Sequence, residues 1–368
     1  MSAESTPALT IQHNRFLLNG KPLLFRGVVY QIPFRSRAII KPSTLPPKER
    51  YTDRDPLNDA RLAELERDVE LFRELGINAI WVYTVCLNVS HDRCMKLLSD
   101  NGIYVFVGCS APGVGESVNR LTPHGSYSRS LLDRYYGVVD AFAGYDNLAG
   151  FSVADHVVNN AQATKAAEVI KALVRDVKGY MRARTEKTGG RTVPVGLVDE
   201  EWAATQVPSF DYYMSGSPEE RVDFYALVNF SWGLGKLQGE VKEDILVRKF
   251  SGSKVPILVA EYGANTERPR TFEETKVLYG ERLCQIFSGG FAYEFFEAAN
   301  RYGLVKDNGG DLTRLEDFEQ YRRRLQETAG ADRGLMTPGP DATEGGEALF
   351  PSVSENWLAI STLPSRPL

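Results

Sequence analysis

Short apolar runs rich in β-branched and aromatic residues recur along the chain, separated mostly by stretches whose apolar positions follow a helical period. Eight such runs stand out, at 24–30, 79–84, 104–108, 149–154, 193–198, 223–228, 257–261 and 291–296. Alternating strands and helices in this number predict an α/β fold, a single (β/α)8 TIM barrel. Between the first two runs, 59–75 carries Leu62, Leu65, Val69, Leu71 and Phe72 close to a 3.6-residue period and stops before Gly76, as a capped helix does. A second long helix is expected over 161–184, with Ala167, Ile170, Leu173, Val174 and Val177 on one side. Ahead of the first strand, Asn19-Gly20 lies between apolar runs, the signal for a two-residue hairpin turn. That N-terminal β-hairpin is expected to plug the bottom of the barrel.

Domain bounds follow from where these patterns begin and end. Residues 1–10 are small and polar and read as disordered, 11–305 as the barrel, and 306–368, where Gly, Pro, Asp and Glu accumulate, as an irregular C-terminal tail. The segment 33–56 is basic, Pro-rich and aperiodic, and is expected to be a loop on the face where barrels carry their chemistry.

Composition narrows the function classes. At 368 residues and 43% hydrophobic composition the chain can bury a large core. Its net charge of −5 comes from 43 basic and 48 acidic side chains spread evenly, so nucleic acid is not an expected partner. The apolar runs fall short of the ~20 residues that cross a bilayer, and membrane insertion is not expected. Met1 to Thr10 lack the basic-then-apolar pattern of a secretory leader. Cys86, Cys94, Cys109 and Cys284 have no metal-ligand spacing and read as buried free thiols. These features predict a cytoplasmic location, or a secreted one if flanking segments have been removed. The dispersed His13, His91, His124 and His156 suggest no metal site, and no cofactor is expected.

In a barrel, chemistry sits at the C-terminal strand ends, so the polar residue closing each apolar run matters most. In Pro256-Ile-Leu-Val-Ala-Glu261-Tyr-Gly263 a carboxylate ends a buried strand and glycine lets the chain turn at once. Together with Arg26-Gly-Val-Val-Tyr-Gln31, Leu75-Gly-Ile-Asn78, His91-Asp-Arg-Cys-Met95, Val118-Asn-Arg120 and Ala299-Asn-Arg-Tyr-Gly-Leu-Val305, this segment resembles glycoside hydrolase family 72, the fungal β-1,3-glucanosyltransferases of cell-wall assembly.

The resemblance implies a retaining double displacement, in which one carboxylate attacks the anomeric carbon and a second group protonates the leaving oxygen and later activates the acceptor. It places Glu261 as the nucleophile. Its acid/base position, an Asn-Glu pair, is occupied by Asp155 and His156, so the proton donor becomes His156 or Asp155. Trp81 stands for an arginine, Gly108 for an aspartate, and Phe230, Ser231 and Phe295 for a tyrosine, a glutamate and a tyrosine. Tyr30, Gln31, Tyr83, Asn119, Tyr225, Phe230, Trp232, Tyr262 and Phe295 are the expected substrate-binding residues. Family disulfide positions hold Leu65, Ser215 and Gly233, in keeping with the reducing compartment expected above.

The resulting expectation is an enzyme-like barrel whose ligand is an oligosaccharide or another small molecule, with glucanosyltransferase or glycosidase chemistry. Two alternatives stay open: a barrel recruited to cyclisation or rearrangement of an apolar metabolite, and a noncatalytic glucan-binding protein. Asp199-Glu-Glu201 reads as a solvated loop and Gly113-Val-Gly115-Glu116 as a turn.

Overall fold

Eight parallel strands close into a barrel in a computed structural model, which describes residues 6–32, 51–200, 203–231, 236–237, 240–335 and 349–368. The strands are β1 (Phe25–Val29), β2 (Ala79–Val82), β3 (Tyr104–Gly108), β4 (Leu148–Asp155), β5 (Val195–Asp199), β6 (Phe224–Asn229), β7 (Ile257–Tyr262) and β8 (Phe287–Ala292). Each pairs with the next, and β8 pairs with β1 to close the ring.

Side chains alternate between two apolar layers, as a barrel covered by helices requires. Phe25, Val29, Trp81, Phe106, Phe224, Val228, Leu258 and Phe291 fill the interior. Val28, Ile80, Val82, Val105, Val107 and Leu227 face the surrounding helices. Those helices are α1 (Leu62–Leu75), α2 (Asp92–Asp100), α3 (Arg129–Phe142), α4 (Ala166–Thr188), α5 (Ala203–Met214), α6 (Lys242–Phe250), α7 (Glu273–Leu278) and α8 (Glu316–Glu327). As its period predicts, α1 buries Leu65, Val69, Phe72 and Leu75, and it stops at left-handed Gly76.

The hairpin forms from Arg15–Leu18 and Lys21–Pro22, with Asn19 and Gly20 both at positive φ in the turn. Its Phe16 is fully buried, with its ring 5.0 Å from Phe25 and 5.9 Å from Phe106, and so closes one end of the barrel core.

Three sequence expectations are corrected. The eighth strand runs Phe287–Ala292 rather than 291–296, because Ser288-Gly289-Gly290, which resembles a turn, lies inside it. A β-carbon on Gly289 would stand 2.0 Å from the Phe25 carbonyl oxygen, so glycine allows the β8 and β1 backbones to approach. Residues 6–10 are placed rather than disordered: the Thr6 amide and hydroxyl donate to Ser99, and Leu9 packs into the barrel interior.

The tail expected from 306 is structured over much of its length. A small hairpin, Val305–Asp307 with Leu312–Arg314, leads into α8, which packs beside α1 and α7. Residues 349–368 run back along α4, where the Leu358 and Ile360 amides donate to Thr164 and Glu168 and Trp357 is fully buried beside Tyr212. A few apolar anchors in a polar stretch hold this segment, which composition alone does not reveal.

Arg270, in the connection after β7, is buried with Asp317 of α8 and pairs with it at 2.6 Å. It also donates to the carbonyls of Gly263, Tyr293 and Tyr302, tying together the chain beyond β7 and β8. Removing one member of a buried ion pair leaves an uncompensated charge. Asp317→Ala should therefore lower unfolding stability by roughly 3–5 kcal/mol in a denaturant titration. A loss below about 1 kcal/mol would count against the clamp.

Candidate active site

A parallel strand alternates strictly, so with Leu258 and Ala260 turned inward an unbroken β7 would send Glu261 out toward the helices. It does not, because β7 carries a bulge. Val259 pairs with Leu227, but Glu261 pairs with Val228, whose side chain faces inward. The extra residue re-aims the carboxylate into the barrel mouth. β4 repeats the device: Ser152 pairs with Gly196, but Asp155 pairs with inward-facing Val198. His156 follows at φ 56°, with its backbone held by Val198 and by Arg120, whose guanidinium donates to the His156 carbonyl at 2.6 Å.

These turns bring three carboxylates and one imidazole together. Glu261, 5% exposed, accepts on Oε1 from the Tyr83 hydroxyl and from His156 Nε2 at 3.1 Å. His156 Nδ1 meets Glu200 Oε1 at 3.1 Å. Asp155 accepts from Ser152 at 2.7 Å and from Ser110 at 3.3 Å.

The electrostatics follow from these contacts. Burial disfavours the His156 charge, yet hydrogen bonds and charge attraction from Glu200 and Glu261 outweigh it and raise the pKa to about 10. The ring is an imidazolium at neutral pH. The hydrogen bond from His156 holds Glu200 below the ordinary carboxylate range, helped by the charge of Arg120. Burial lifts Asp155 to about 6 against its serine hydrogen bonds and the His156 charge. Burial, together with the charges of Glu261 and Asp155, keeps the Tyr83 phenol protonated.

The mouth has an aromatic wall beside this cluster. Phe230 packs against Tyr293 and Tyr302, with ring centroids 6.0 and 5.5 Å away. Glu294, buried next to Tyr293, accepts from Asn300 at 2.8 Å. Burial raises its pKa, and the nearby charge of Glu261 adds to the shift. Beneath, Trp81 stacks on Phe106 at 4.8 Å and 3° and is wholly enclosed, so it forms the floor rather than the pocket surface. A β-carbon on Gly108 would meet the Tyr83 carbonyl oxygen at 2.4 Å, so the bare glycine lets the Tyr83 backbone settle against the end of β3.

Of the residues proposed from sequence, Glu261, His156, Asp155, Tyr83 and Phe230 converge at the mouth. Gln31 adjoins it as a brace: its amide joins the Arg54 carbonyl to the Tyr83 and Thr84 amides. Four aromatic positions are corrected, because they lie in the layer between barrel and helices with no face open to a ligand. Tyr30 is buried and donates to Asp68 of α1 at 2.7 Å, and Phe295 packs on Tyr30 and Phe72. Tyr225 donates to buried Asp199 at 2.5 Å, and Tyr262 meets Tyr321 of α8. For Tyr30, Tyr225 and Tyr262 the outward phase of the strand or its continuation favours the interhelical layer, and Phe295 reaches it from the segment after β8.

Asn119 is exposed and caps a turn through the Leu121 amide. Trp232 and most of the 33–56 loop lie outside the described residues. The solvated-loop expectation for 199–201 is corrected at its first two positions, since Asp199 is buried and Glu200 reaches His156. Sequence reasoning also missed Arg120, Glu294, Tyr293 and Tyr302. The signal available for Glu294 and Tyr293 was their place just past an apolar strand.

No cluster of metal-ligating side chains occurs among the described residues. A cavity of about 840 Å³ bordered by Ile11, Met181, Phe210, Met214 and Val255 lies away from this chemistry, beside the N-terminal ends of β5 and β6. Active sites of this fold sit at the opposite face.

The family model described as glucanosyltransferase matches residues 1–329. The chain is 31% identical to pH-responsive protein 1 of Candida albicans over 99% of its own length, but spans only 64% of that relative. It is 31% identical to the 1,3-β-glucanosyltransferase GAS5 of Saccharomyces cerevisiae, covering all of this chain and 71% of that protein. Saccharomyces cerevisiae Gas2p in complex with laminaripentaose superposes with a TM-score of 0.84 at 31% identity, over 98% of this chain and 78% of that one.

These relatives overturn the cytoplasmic expectation. Glucanosyltransferases of this kind are secreted and associated with the cell wall. The four cysteines are buried and form no disulfide. Leu65, where a disulfide partner was expected, is fully buried against the barrel instead.

A histidine whose pKa lies above its ordinary 6.5 contributes stability that is complete below that pH and is lost as the pH rises through its folded value, here about 10. In nuclear magnetic resonance titration His156 should remain protonated through pH 8. Glu261→Gln, which removes one of its two anions, should lower the midpoint. A wild-type midpoint near 6.5 would contradict the paired arrangement.

Proposed function

Because this chain belongs to glycoside hydrolase family 72, the glucanosyltransferases, we propose that it breaks and re-forms β-1,3-glucosidic bonds by retaining double displacement, with Glu261 as nucleophile and His156 as acid/base. The observation that carries this reading is the bulge that aims Glu261 into the mouth of the barrel against a charged histidine. Both described hydrogen bonds to Glu261 fall on Oε1, so Oε2 is the oxygen assigned to attack.

In the first half-reaction, Oε2 bonds to the anomeric carbon as the glycosidic carbon–oxygen bond breaks. The released electron pair goes to the leaving oxygen, which takes the Nε2 proton of His156. In the second, neutral His156 withdraws a proton from the acceptor hydroxyl. That oxygen bonds to the anomeric carbon, and the electron pair of the ester bond returns to Glu261. An acceptor sugar gives transfer; water gives hydrolysis. Tyr83 steadies the nucleophile through Oε1 in both steps. General acid assistance of this kind is worth roughly 10²–10⁴-fold.

Asp155 is assigned a supporting role, since its carboxyl is engaged by Ser152 and Ser110. The aromatic wall of Phe230, Tyr293 and Tyr302 supplies faces for pyranose rings, and a β-1,3-glucan is the substrate that the kinship favours. No observation favours cyclisation of an apolar metabolite, because the barrel interior under the site is filled by Trp81 and Phe106.

An activated 2-fluoro glucoside should leave a stable glycosyl adduct on the peptide carrying Glu261, read by mass spectrometry. Glu261→Gln should abolish the adduct and cut laminari-oligosaccharide turnover on the order of 10³-fold or more. Turnover without an adduct, or an adduct elsewhere, would remove Glu261 from the nucleophile role.

A further inference from the structure

We infer that Glu200 is the positioning partner of His156, the two forming a carboxylate–imidazole dyad that carries one proton through both halves of the transfer. This rests on the retaining reading above.

The two imidazole nitrogens have separate tasks. Nε2 points to the nucleophile and Nδ1 to Glu200, each at 3.1 Å, so the ring is threaded between two carboxylates. Its backbone is pinned at both ends, the amide donating to Val198 and the carbonyl accepting from Arg120. The charges around it are Glu200 from the segment after β5, Glu261 from β7, Asp155 from β4 and Arg120 from the loop after β3. Tyr83 lies edge-on, with its ring centroid 6.2 Å away.

A lone imidazole in this position could rotate once it gave up its Nε2 proton, and the wrong nitrogen could then face the acceptor. A carboxylate on Nδ1–H fixes both tautomer and orientation, and stabilises the imidazolium when it re-forms. Glu200 is suited to remain that anion, because the hydrogen bond from His156 and the charge of Arg120 hold its pKa low.

The dyad also explains how one group can be first acid and then base. In the resting site the charges of both Glu261, at Nε2, and Glu200, at Nδ1, stabilise the imidazolium. When Glu261 becomes a glycosyl ester its charge disappears, and only Glu200, across the ring, is left to stabilise a proton on Nε2. His156 is then a weaker base than in the resting enzyme, yet still oriented to accept the acceptor's proton. The charge on Glu261 thus sets the protonation state that each step needs.

The test compares Glu200→Gln and Glu200→Asp in the full chain. Substrates are laminari-oligosaccharides and the activated 2-fluoro glucoside, whose leaving group departs without a proton. Glu200→Gln should lower kcat about 10²-fold, leave KM within about twofold, and move the basic limb of the kcat–pH profile to lower pH, while the fluoro sugar still labels Glu261. Glu200→Asp, which keeps the charge, should retain the wild-type position of that limb. Wild-type kcat and an unshifted limb in Glu200→Gln would overturn the dyad while leaving the labelled nucleophile intact. Absence of labelling in the wild type would instead sink the retaining reading. If Glu200→Gln loses its cooperative thermal transition, the limb in Glu200→Asp decides: wild-type position supports the dyad, and displacement to lower pH refutes it.

Discussion

A carboxylate can be held at the mouth of an aromatic-filled barrel only if something donates to it, and the contact between Glu261 and His156 meets that requirement. A buried carboxylate without donors is costly, and only a carboxylate anion is an effective nucleophile. The hydroxyl of Tyr83 and the charged imidazole of His156 supply the donors. Much of the local architecture serves this contact: the bulge in β7 aims Glu261 into the mouth, the bulged end of β4 and the positive φ of His156 present the imidazole, Gly108 admits the Tyr83 backbone, and Gln31 fastens the Tyr83 and Thr84 amides. Removing the Glu261 charge would weaken the hold of His156 on its proton, so the two side chains are electrostatically linked.

In the proposed reaction a histidine stands where a retaining mechanism ordinarily uses a second carboxylate. Histidine brings a proton donor, but an imidazolium beside a nucleophile would be held too firmly if that pairing were its only circumstance. In the proposed double displacement the nucleophile is neutralised on forming the glycosyl ester, which makes the grip temporary. Below the mouth, aromatic packing of Trp81, Phe106 and Phe291 gives a rigid floor, so the charged groups need little reorganisation as charge develops. Around the rim, Arg270 ties the Tyr293 and Tyr302 carbonyls to α8, which makes part of the C-terminal segment structurally continuous with the site.

The barrel was readable in the sequence because strand-length apolar runs alternate with helical ones, and seven of the eight runs fall on the observed strands with small shifts at their ends. The eighth was displaced because Ser288-Gly289-Gly290 suits close backbone contact within a sheet as well as a turn. At the site, Glu261 and His156, singled out from position and resemblance, are brought together at the barrel mouth. The directions of Tyr30, Tyr225, Tyr262 and Phe295 were not legible, since a shared apolar character does not tell the barrel lumen from the interhelical layer. Glu200 was hidden for a different reason: an acidic run after a strand looks solvated until the fold brings the histidine that follows β4 beside it. The tail shows the same limit, where Trp357 anchors a polar segment through distant contacts with Tyr212.

The central claim is that Glu261 attacks the anomeric carbon and His156 completes a double displacement. Its most direct test is the anomeric configuration of the first-formed product from a laminari-oligosaccharide, followed by proton nuclear magnetic resonance before mutarotation. Two successive inversions predict that the newly released or transferred sugar appears with the β configuration of the substrate. Initial appearance of the α anomer would mean a single displacement by water and would contradict the account.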